Sequence, residues 1–473
     1  MIFKVFGPPG TGKTTHLLNI AKEYITDHNI PLHRIGYFAF TRKAANEAKD
    51  RMPYEPKQLP YFQTLHSLAF HSLGLSEDNI MQPYHYDDLG KMLNVRVHHQ
   101  DKFNDTETFY LTSDNLYFQL LGRARNKNIS FAEEYESGDY PHEDIDFELL
   151  QHIAINLDEY KKKNSLIDFN DMIHNFVAQE EKCPEFDVIF IDEAQDLSPI
   201  QWKMFEVLKK KARHIYLAGD DDQAIYTWAG ADVARFVEEP ADEEIILDQS
   251  RRVPFAIQEI SEIILNRIEG VRKEKKYRPK EEEGYVQKIF DIGQVNLHEG
   301  NWLILARTGS RLKDIMELLK EKGIFYQTKK GKSFTVKIYN AALNYSRNLN
   351  LTDAEMKDIQ EFTNGVKPDY RPWYEAFVNA PYDQVQYIRH MLSNGEKLSF
   401  PARIRLSTIH AAKGGEEDNV ILILDNARKI RRAVLDNQNK RDEEHRVWYV
   451  GVTRAKKNLY LHLAKIERNG YQL

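Results

Sequence analysis

A chain of 473 residues with 42% hydrophobic and 29% charged residues can bury a large core, and at an ordinary ~100–200 residues per domain it divides into about three to four compact units. No apolar run approaches the ~20 residues of a membrane span, no secretory signal is expected ahead of a strand that begins at Ile2, and the single cysteine, Cys183, excludes an internal disulfide or a cysteine metal cluster, which suits a reducing cytoplasm. The net charge of −7 speaks mildly against nucleic acid, yet basic residues gather at 161–163, 209–213, 272–276 and 428–432, so a local basic groove and ordinary solvated faces both stay open.

The apolar run Ile2–Phe6 predicts a strand that feeds directly into Gly7-Pro8-Pro9-Gly10-Thr11-Gly12-Lys13-Thr14-Thr15. Three glycines let successive N–H groups turn inward around a polyphosphate, Lys13 brings a point charge to the outer phosphates, and the Thr14 hydroxyl can ligate Mg²⁺. Leu17, Ile20, Ala21 and Tyr24 recur at helical spacing, so a helix opens here with its positive end at the phosphates. Residues 35–40 predict a second strand, ended by Thr41-Arg42-Lys43 and followed by a helix. Residues 61–70 then place Thr64 and His66 in an apolar setting, where a histidine is commonly a satisfied core residue. Residues 77–148 are polar and acid-rich, and predict a mostly helical insertion.

Phe186–Ile191 fits a strand buried on both faces and ends in Asp192-Glu193-Ala194-Gln195-Asp196. Carboxylates at such a strand end are costly unless used: Asp192 can hold the Mg²⁺ shell and Glu193 can act as base toward water, with structural decoration as the alternative. Ser198, Pro199 and Gln201 read as the start of a helix running to about Lys211. Residues 214–218 predict a strand delivering Gly219-Asp220-Asp221-Asp222-Gln223, which puts Gln223 where it can reach a γ-phosphate or its attacking water. Trp228 is either a base-stacking platform or a core residue. Residues 245–248 predict a further strand, followed by Gln249-Ser250-Arg251-Arg252. The charge-dense stretch 273–283 sets a domain boundary near Gly270. Beyond it, residues 285–290, 302–306, 404–409, 420–424 and 459–463 read as strands of a second α/β domain without a P-loop, and residues 332–401 as a helical insertion. That second domain carries Thr408, His410, the run Lys413-Gly414-Gly415-Glu416, and Gly451-Val452-Thr453-Arg454-Ala455-Lys456.

Taken in order, the motifs from Gly7, Phe40, Thr64, Asp192, Gly219, Thr408 and Tyr449 resemble those of superfamily 1 DNA helicases of the UvrD/Rep type, and they spread over nearly the whole chain. The resemblance implies an α/β protein with two RecA-like P-loop NTPase domains in tandem, each with a largely helical insertion. Its divisions would be 1–75, 165–270 for the first domain, 76–164 for its insertion, 271–331 and 402–473 for the second, and 332–401 for a shortened second insertion. It implies ATP in the cleft between the domains, Mg²⁺ held by Thr14 and Asp192, and single-stranded DNA and single/double-strand junctions as partners, with no membrane. Gly7, Pro8, Pro9, Gly10, Thr11, Gly12, Lys13, Thr14 and Thr15 would bind the phosphates and Glu416 the ribose. Glu193 would activate water, Gln223 would sense the γ-phosphate, and Arg252 and Arg454 would act as arginine fingers. Thr41, Thr64, His66, Trp228, Thr408 and His410 would contact DNA. The implied activity is a DNA-stimulated ATPase that translocates 3′ to 5′ and unwinds duplex. A single-stranded-DNA translocase or protein-displacing motor with weak unwinding, an ATP-dependent RNA-binding switch and a small-molecule kinase are the alternatives. Three departures from the family pattern stand out: six residues precede Gly7, so an upstream adenine-reading glutamine motif is expected to be lacking; Arg251 takes the place of a tyrosine; and Ala229 takes that of an arginine. Because the motor motifs lie outside the second insertion, exchange of residues 349–399 for a flexible linker is expected to preserve at least part of the DNA-stimulated ATPase while strand separation falls much further.

Overall fold

The computed structural model describes residues 1–97, 115–137, 145–347, 351–365, 371–396, 398–399, 401–435 and 437–473. Parts of both expected insertions, residues 98–114, 138–144, 348–350 (Leu349 among them) and 366–370, lie outside the described residues. Two compact units emerge, Met1–Arg251 with Ile268–Pro279, and Arg252–Arg267 with Lys280–Leu473.

The first unit is built on a six-stranded sheet. Its strands are β1 (Ile2–Phe6), β2 (Ile35–Phe38), β3 (Phe62–Gln63), β4 (Phe186–Ile191), β5 (Ala212–Gly219) and β6 (Glu243–Ile246), in the order β3-β2-β4-β5-β1-β6. Every pairing is parallel. A parallel sheet needs helices on both faces, and that is why β1, β2 and β4 are apolar at almost every residue and buried almost throughout. The register sets Phe6 beside Gly219 and Ile246, and Phe38 beside Gln63 and Ile191. The carboxyl ends are therefore flush, and the segments after β1 to β5 all emerge at one edge of the sheet. β2 stops at Phe38, short of the expected residue 40, because Thr41 already caps the next helix. The two-residue β3 escaped the sequence reading, since so short a run has no periodicity to detect.

Between the sheet strands, helices Pro83–Met92, Leu116–Lys127, Phe131–Glu136 and Phe147–Asn164 gather around their own core, which includes Tyr86, Leu89, Phe118, Leu150, Ile153 and Leu157. An ion-pair cluster ties this layer to helix Phe169–Ala178: Arg125 meets Asp168 at 2.5 Å, and Lys161 meets Asp168 at 3.0 Å and Asp171 at 2.7 Å. The basic clusters at 161–163, 209–213 and 272–276 supply several such internal partners. Lys209 pairs with Glu239, Lys210 with Glu180, Lys211 with Glu185, and Arg272 with Asp222. Much of the charge expected on a basic groove is thus engaged by carboxylates of the same unit.

The chain leaves the first unit within β7 (Gln249–Pro254) and again within β8 (Arg278–Lys280), two strands outside both large sheets. In place of one crossing near Gly270 there is a double exchange. Helix Phe255–Leu265 packs on helix Gln438–Val452 of the second unit, while Lys275 returns to carboxylates of the first. The second unit has strands β9 (Tyr285–Ile289), β10 (Trp302–Ala306), β11 (Tyr326–Thr328), β12 (Gly331–Lys332), β13 (Ile404–Thr408), β14 (Glu417–Ile423) and β15 (Ala455–His462), in the order β12-β11-β13-β10-β14-β15-β9. Among the described residues of this sheet, only the β11–β12 pair is antiparallel. These two short strands were not foreseen. Helices Val336–Arg347, Asp353–Phe362, Trp373–Ala376 and Tyr382–Ser393 share a single hydrophobic core with β10, β13 and β14. Ile338, Ile359 and Ile388 pack in the same cluster as Ile304, Ile404 and Ile421. Tyr387 hydrogen-bonds the Ile324 carbonyl at 2.8 Å, and helix Tyr382–Ser393 passes so close to Gly323 that a Cβ there would lie 2.5 Å from the His390 backbone. The expectation that residues 349–399 can be exchanged for a linker does not fit a segment so deeply built into the core.

Candidate nucleotide site and motif edge

The loop after β1 turns on Gly10 and Gly12, whose φ angles of 75° and 85° are comfortable only for glycine. A Cβ on Gly7 would lie 2.1 Å from Lys13 Cγ, so the absence of a side chain there makes room for the lysine. Lys13 arches over the loop and donates to the Gly7 carbonyl at 2.8 Å. The Gly7 N–H is anchored on Gly219 at the end of β5. Ser250 and Arg251 brace the loop from outside: Ser250 Oγ donates to the Pro9 carbonyl at 2.7 Å and the Arg251 N–H to the Gly10 carbonyl at 2.9 Å. Sequence reasoning gave Ser250 no role, because its partner lies 241 residues away.

Asp192 sits at the end of β4, 5% exposed. Its Oδ2 accepts from Thr14 Oγ1 at 2.7 Å and from the Tyr37 hydroxyl at 2.8 Å, while Oδ1 accepts from the Glu193 N–H at 3.0 Å. Burial pushes the Asp192 carboxyl above its ordinary value and neighbouring Glu193 adds to this, against the pull of Thr14, Lys13 and Tyr37. Burial likewise raises the Tyr37 hydroxyl, helped by Asp192, so it stays a proton donor to that carboxylate. Glu193 adopts φ 59° and ψ 40°, a left-handed conformation that costs a non-glycine residue on the order of 1 kcal/mol and turns its carboxylate out of the strand direction. That carboxylate accepts from Gln195 Nε2 at 2.6 Å, and Gln195 Oε1 accepts from the Asp220 N–H at 3.0 Å. Gln195 thereby joins the segment after β4 to the segment after β5. Room for it exists because Gly219 lacks a side chain, whose Cβ would stand 2.5 Å from Gln195 Oε1. Gln223 donates through Nε2 to Asp220 Oδ2 at 2.7 Å.

The same edge carries Thr41 and Thr64 as helix N-caps, their hydroxyls accepting from Ala44 and Ser67 N–H groups at 3.1 and 3.2 Å. Each hydroxyl keeps its own proton for donation. His66 is buried edge-on to Phe169, and burial, with Arg42 nearby, pushes its pKa down to about 4. Thr64, His66 and Asp192 line one cleft with Phe38, Phe40 and Gln201. Trp228 is partly exposed and stands 6.4 Å from Tyr226, which in turn stacks on Phe40 at 5.2 Å. Phe40 and Tyr226 thus extend an aromatic row that the sequence marked only at Trp228. Thr15 stands apart from the other loop residues, since its hydroxyl faces Arg51 at 2.5 Å.

In the second unit the predicted residues fall into two groups. Glu416 and Arg454 precede β14 and β15 at their amino ends, where Glu417 pairs with Ala455. Thr408 closes β13 at the level of Ala306 and Ile423, at the opposite edge, with His410 just beyond. Glu416 forms an ion pair with Arg252. Arg454 is 1% exposed and donates to the carbonyls of Val450 at 2.9 Å and Gly415 at 3.2 Å. Burial, followed by the charges of Arg307 and Lys413, pushes His410 down to about 3.

The glycine cradle, the lysine above it and the Thr14–Asp192 pair are the donor set that a magnesium–nucleotide complex requires, with hard oxygen ligands for the ion and N–H groups for the phosphates. The model of the UvrD/REP helicase N-terminal domain matches residues 2–243, just over half of the chain, and that of the UvrD-like helicase C-terminal domain matches residues 382–466. Among curated relatives, the ATP-dependent DNA helicase PcrA of Staphylococcus epidermidis (strain RP62A) is 23% identical over 261 residues, which is 51% of this chain and 35% of that protein. PcrA of Staphylococcus aureus (strain Mu50) is 23% identical over 283 residues, 55% of this chain and 37% of that protein, so the match spans little more than a third of these relatives. With the first unit's motifs gathered at the carboxyl edge of a parallel sheet and both family regions present, the chain belongs to the UvrD/REP helicase family.

Proposed function

We propose that this protein is an ATP-dependent DNA helicase: an ATPase stimulated by single-stranded DNA that translocates 3′ to 5′ and unwinds duplex at single/double-strand junctions. The observation that carries the reading is Asp192, joined to the phosphate-loop Thr14 at 2.7 Å while lining the same cleft as Thr64 and His66. Nucleotide chemistry and a polymer track would then meet at one carboxylate. Residues 7–15 would bind the phosphates, and Thr14 and Asp192 would hold Mg²⁺, which supplies charge neutralisation to the outer phosphates when bound. Lys13 exchanges its bond to the Gly7 carbonyl for a phosphate oxygen. Glu193, held by Gln195, accepts the proton of the attacking water, and Gln223 orients that water. Arg252 and Arg454 stabilise the charge that develops, Arg454 by giving up its bond to the Gly415 carbonyl, and Glu416 takes the ribose. Thr41, Thr64, His66, Trp228, Thr408 and His410 form the DNA track, with Trp228 stacking a base for about 1–3 kcal/mol. A division into two α/β domains belongs to this reading, as does a cytoplasmic location; among the described residues no helix is long and apolar enough to cross a membrane.

A translocase with weak unwinding is the second reading. It is favoured by the helices of residues 336–393, whose apolar faces are engaged in the second unit's own core. The test measures ATP turnover with single-stranded DNA, with RNA and without polymer, and strand separation on duplexes with 3′ or 5′ tails. Lys13→Ala should abolish turnover, and Glu193→Gln should bind ATP without hydrolysing it. Turnover indifferent to nucleic acid points to a kinase-like enzyme, stimulation by RNA alone to an RNA switch, and unwinding from 5′ tails alone overturns the polarity.

A further inference from the structure

Asp220, Asp221 and Asp222 follow β5 in succession, and all three are buried, with carboxylate oxygens within 4.8 Å of one another. Three adjacent carboxylates in a dry interior repel strongly, and the spacing would suit a cation. The cation present is Lys275. Its ammonium lies 3.3 Å from Asp220 Oδ1 and 2.9 Å from Asp222 Oδ2, and it also pairs with Asp221, with its side chain 2% exposed. Arg272 adds a two-pronged contact to Asp222 at 2.9 and 3.0 Å, and the Lys273 N–H donates to Asp221 at 2.7 Å. Burial opposes ionisation of Asp222, but Lys275 and Arg272 outweigh it and hold its pKa low. Asp221, pressed by burial and by Asp222, lies higher, at about 6.

We propose that Lys275 is a positioning residue for Gln223, acting through Asp220. This rests on the reading of Gln223 as the γ-phosphate and water contact. Asp220 Oδ2 receives the Gln223 side-chain amide at 2.7 Å, and its other oxygen faces Lys275. An ionised carboxylate only accepts, so the NH₂ end of Gln223 must face Asp220 and the carbonyl Oε1 must turn the other way, as an acceptor for a water proton. Without the ammonium, Asp220 Oδ1 loses its cationic partner and the three carboxylates repel one another around a single guanidinium, so the Asp220 carboxylate shifts and the Gln223 amide it holds shifts with it. Lys275 is distant in sequence from every motif, and it reaches this place because residues 268–279 return to the first unit.

The experiment uses the full chain with Lys275→Met, Lys275→Arg and, as reference, Gln223→Ala. Steady-state ATP turnover with single-stranded DNA is measured together with equilibrium binding of fluorescent ATP and ADP analogues. Lys275→Met should lower kcat about tenfold or more with KM changed less than about threefold, and should lose the ATP-over-ADP preference to the extent that Gln223→Ala does, with ADP affinity kept. Lys275→Arg, which keeps the charge, should recover most of the turnover. If Lys275→Met does not fold, Lys275→Gln, which removes the charge but keeps a hydrogen-bond donor facing the carboxylates, takes its place and should show the same split. A folded variant with wild-type kcat and wild-type preference overturns the proposal, and so does one that loses ADP affinity along with turnover. Should the wild type and Lys13→Ala prove equally inactive, the proposed function fails, and the ATP-over-ADP preference still decides the role of Lys275.

Discussion

Asp192 is desolvated at the end of β4, and the neighbours that answer it come from three places: the Thr14 hydroxyl, the Tyr37 hydroxyl and the next residue's own N–H. Thr14 and Asp192 were both legible as motif residues; Tyr37, one aromatic in a buried strand, was not. Tyr37→Phe removes one hydrogen bond to a charged, buried acceptor, which is worth about 1.5–3 kcal/mol. It should lower the unfolding midpoint and raise the Mg²⁺ concentration needed for half-maximal turnover, and a variant with the same midpoint and Mg²⁺ dependence as wild type would refute the assignment. His66 supports a pH prediction. Its pKa is depressed to about 4 in the folded protein, so the folded state keeps it neutral while the unfolded chain protonates it near 6.5. The unfolded state therefore binds more protons between these values, and stability present above pH 6.5 is lost as pH falls toward 4. The loss totals about 3 kcal/mol over the window. In urea unfolding at pH 7 and pH 5, His66→Leu should show a clearly smaller difference between the two pH values than wild type.

Short elements here carry both folding and function. Thr64 starts a helix immediately after β3 and Thr41 three residues after β2 ends, and each was foreseen only as a DNA contact. Their place as caps explains why the residue type is threonine: the oxygen satisfies a backbone N–H while the hydroxyl proton remains for a phosphate. Thr64→Ala should cost about 1 kcal/mol of stability and weaken binding to single-stranded DNA. Thr64→Ser should preserve both, as read by thermal unfolding and by fluorescence anisotropy of a labelled oligonucleotide. If Thr64→Ala destabilises without touching DNA affinity, the threonine is a cap alone. The Ser198–Gln201 capping box illustrates what local chemistry can reveal, because helix Pro199–Lys211 begins and ends where those residues and the terminal lysines place it.

At the scale of the molecule, the sharpest departure from expectation is the segment 332–401. Its polar, Tyr- and Asn-rich composition reads as an excursion from the second domain, yet its described helices complete the apolar core beneath β10 and β13, and the family's C-terminal match begins at residue 382, inside it. Ile388 is fully buried there. Ile388→Ala should destabilise by about 2–5 kcal/mol through lost burial and a residual cavity, and any ATP turnover should fall in parallel with the folded fraction. A linker in place of residues 349–399 should leave the second unit unable to fold cooperatively, which calorimetry would show as a lost or broadened transition. A deletion variant with an intact transition would mean that the shared core is dispensable.

The sequence by itself determined what depends on consecutive residues. The glycine pattern specified the phosphate loop, the apolar run Phe186–Ile191 specified a doubly buried strand, and the ordered motifs specified the family. These are legible because backbone conformation, capping and burial periodicity act within a few positions of the residues that cause them. Only the tertiary structure decided which distant side chains meet: Tyr37 with Asp192, Ser250 with the Pro9 carbonyl, Gln195 between Glu193 and Asp220, and Lys275 with three aspartates. It also set Glu416 and Arg454 at one edge of the second sheet and Thr408 at the other. Those partnerships follow from strand order and register, which bring together groups tens to hundreds of residues apart, and a buried charge selects its partner by distance in space rather than along the chain.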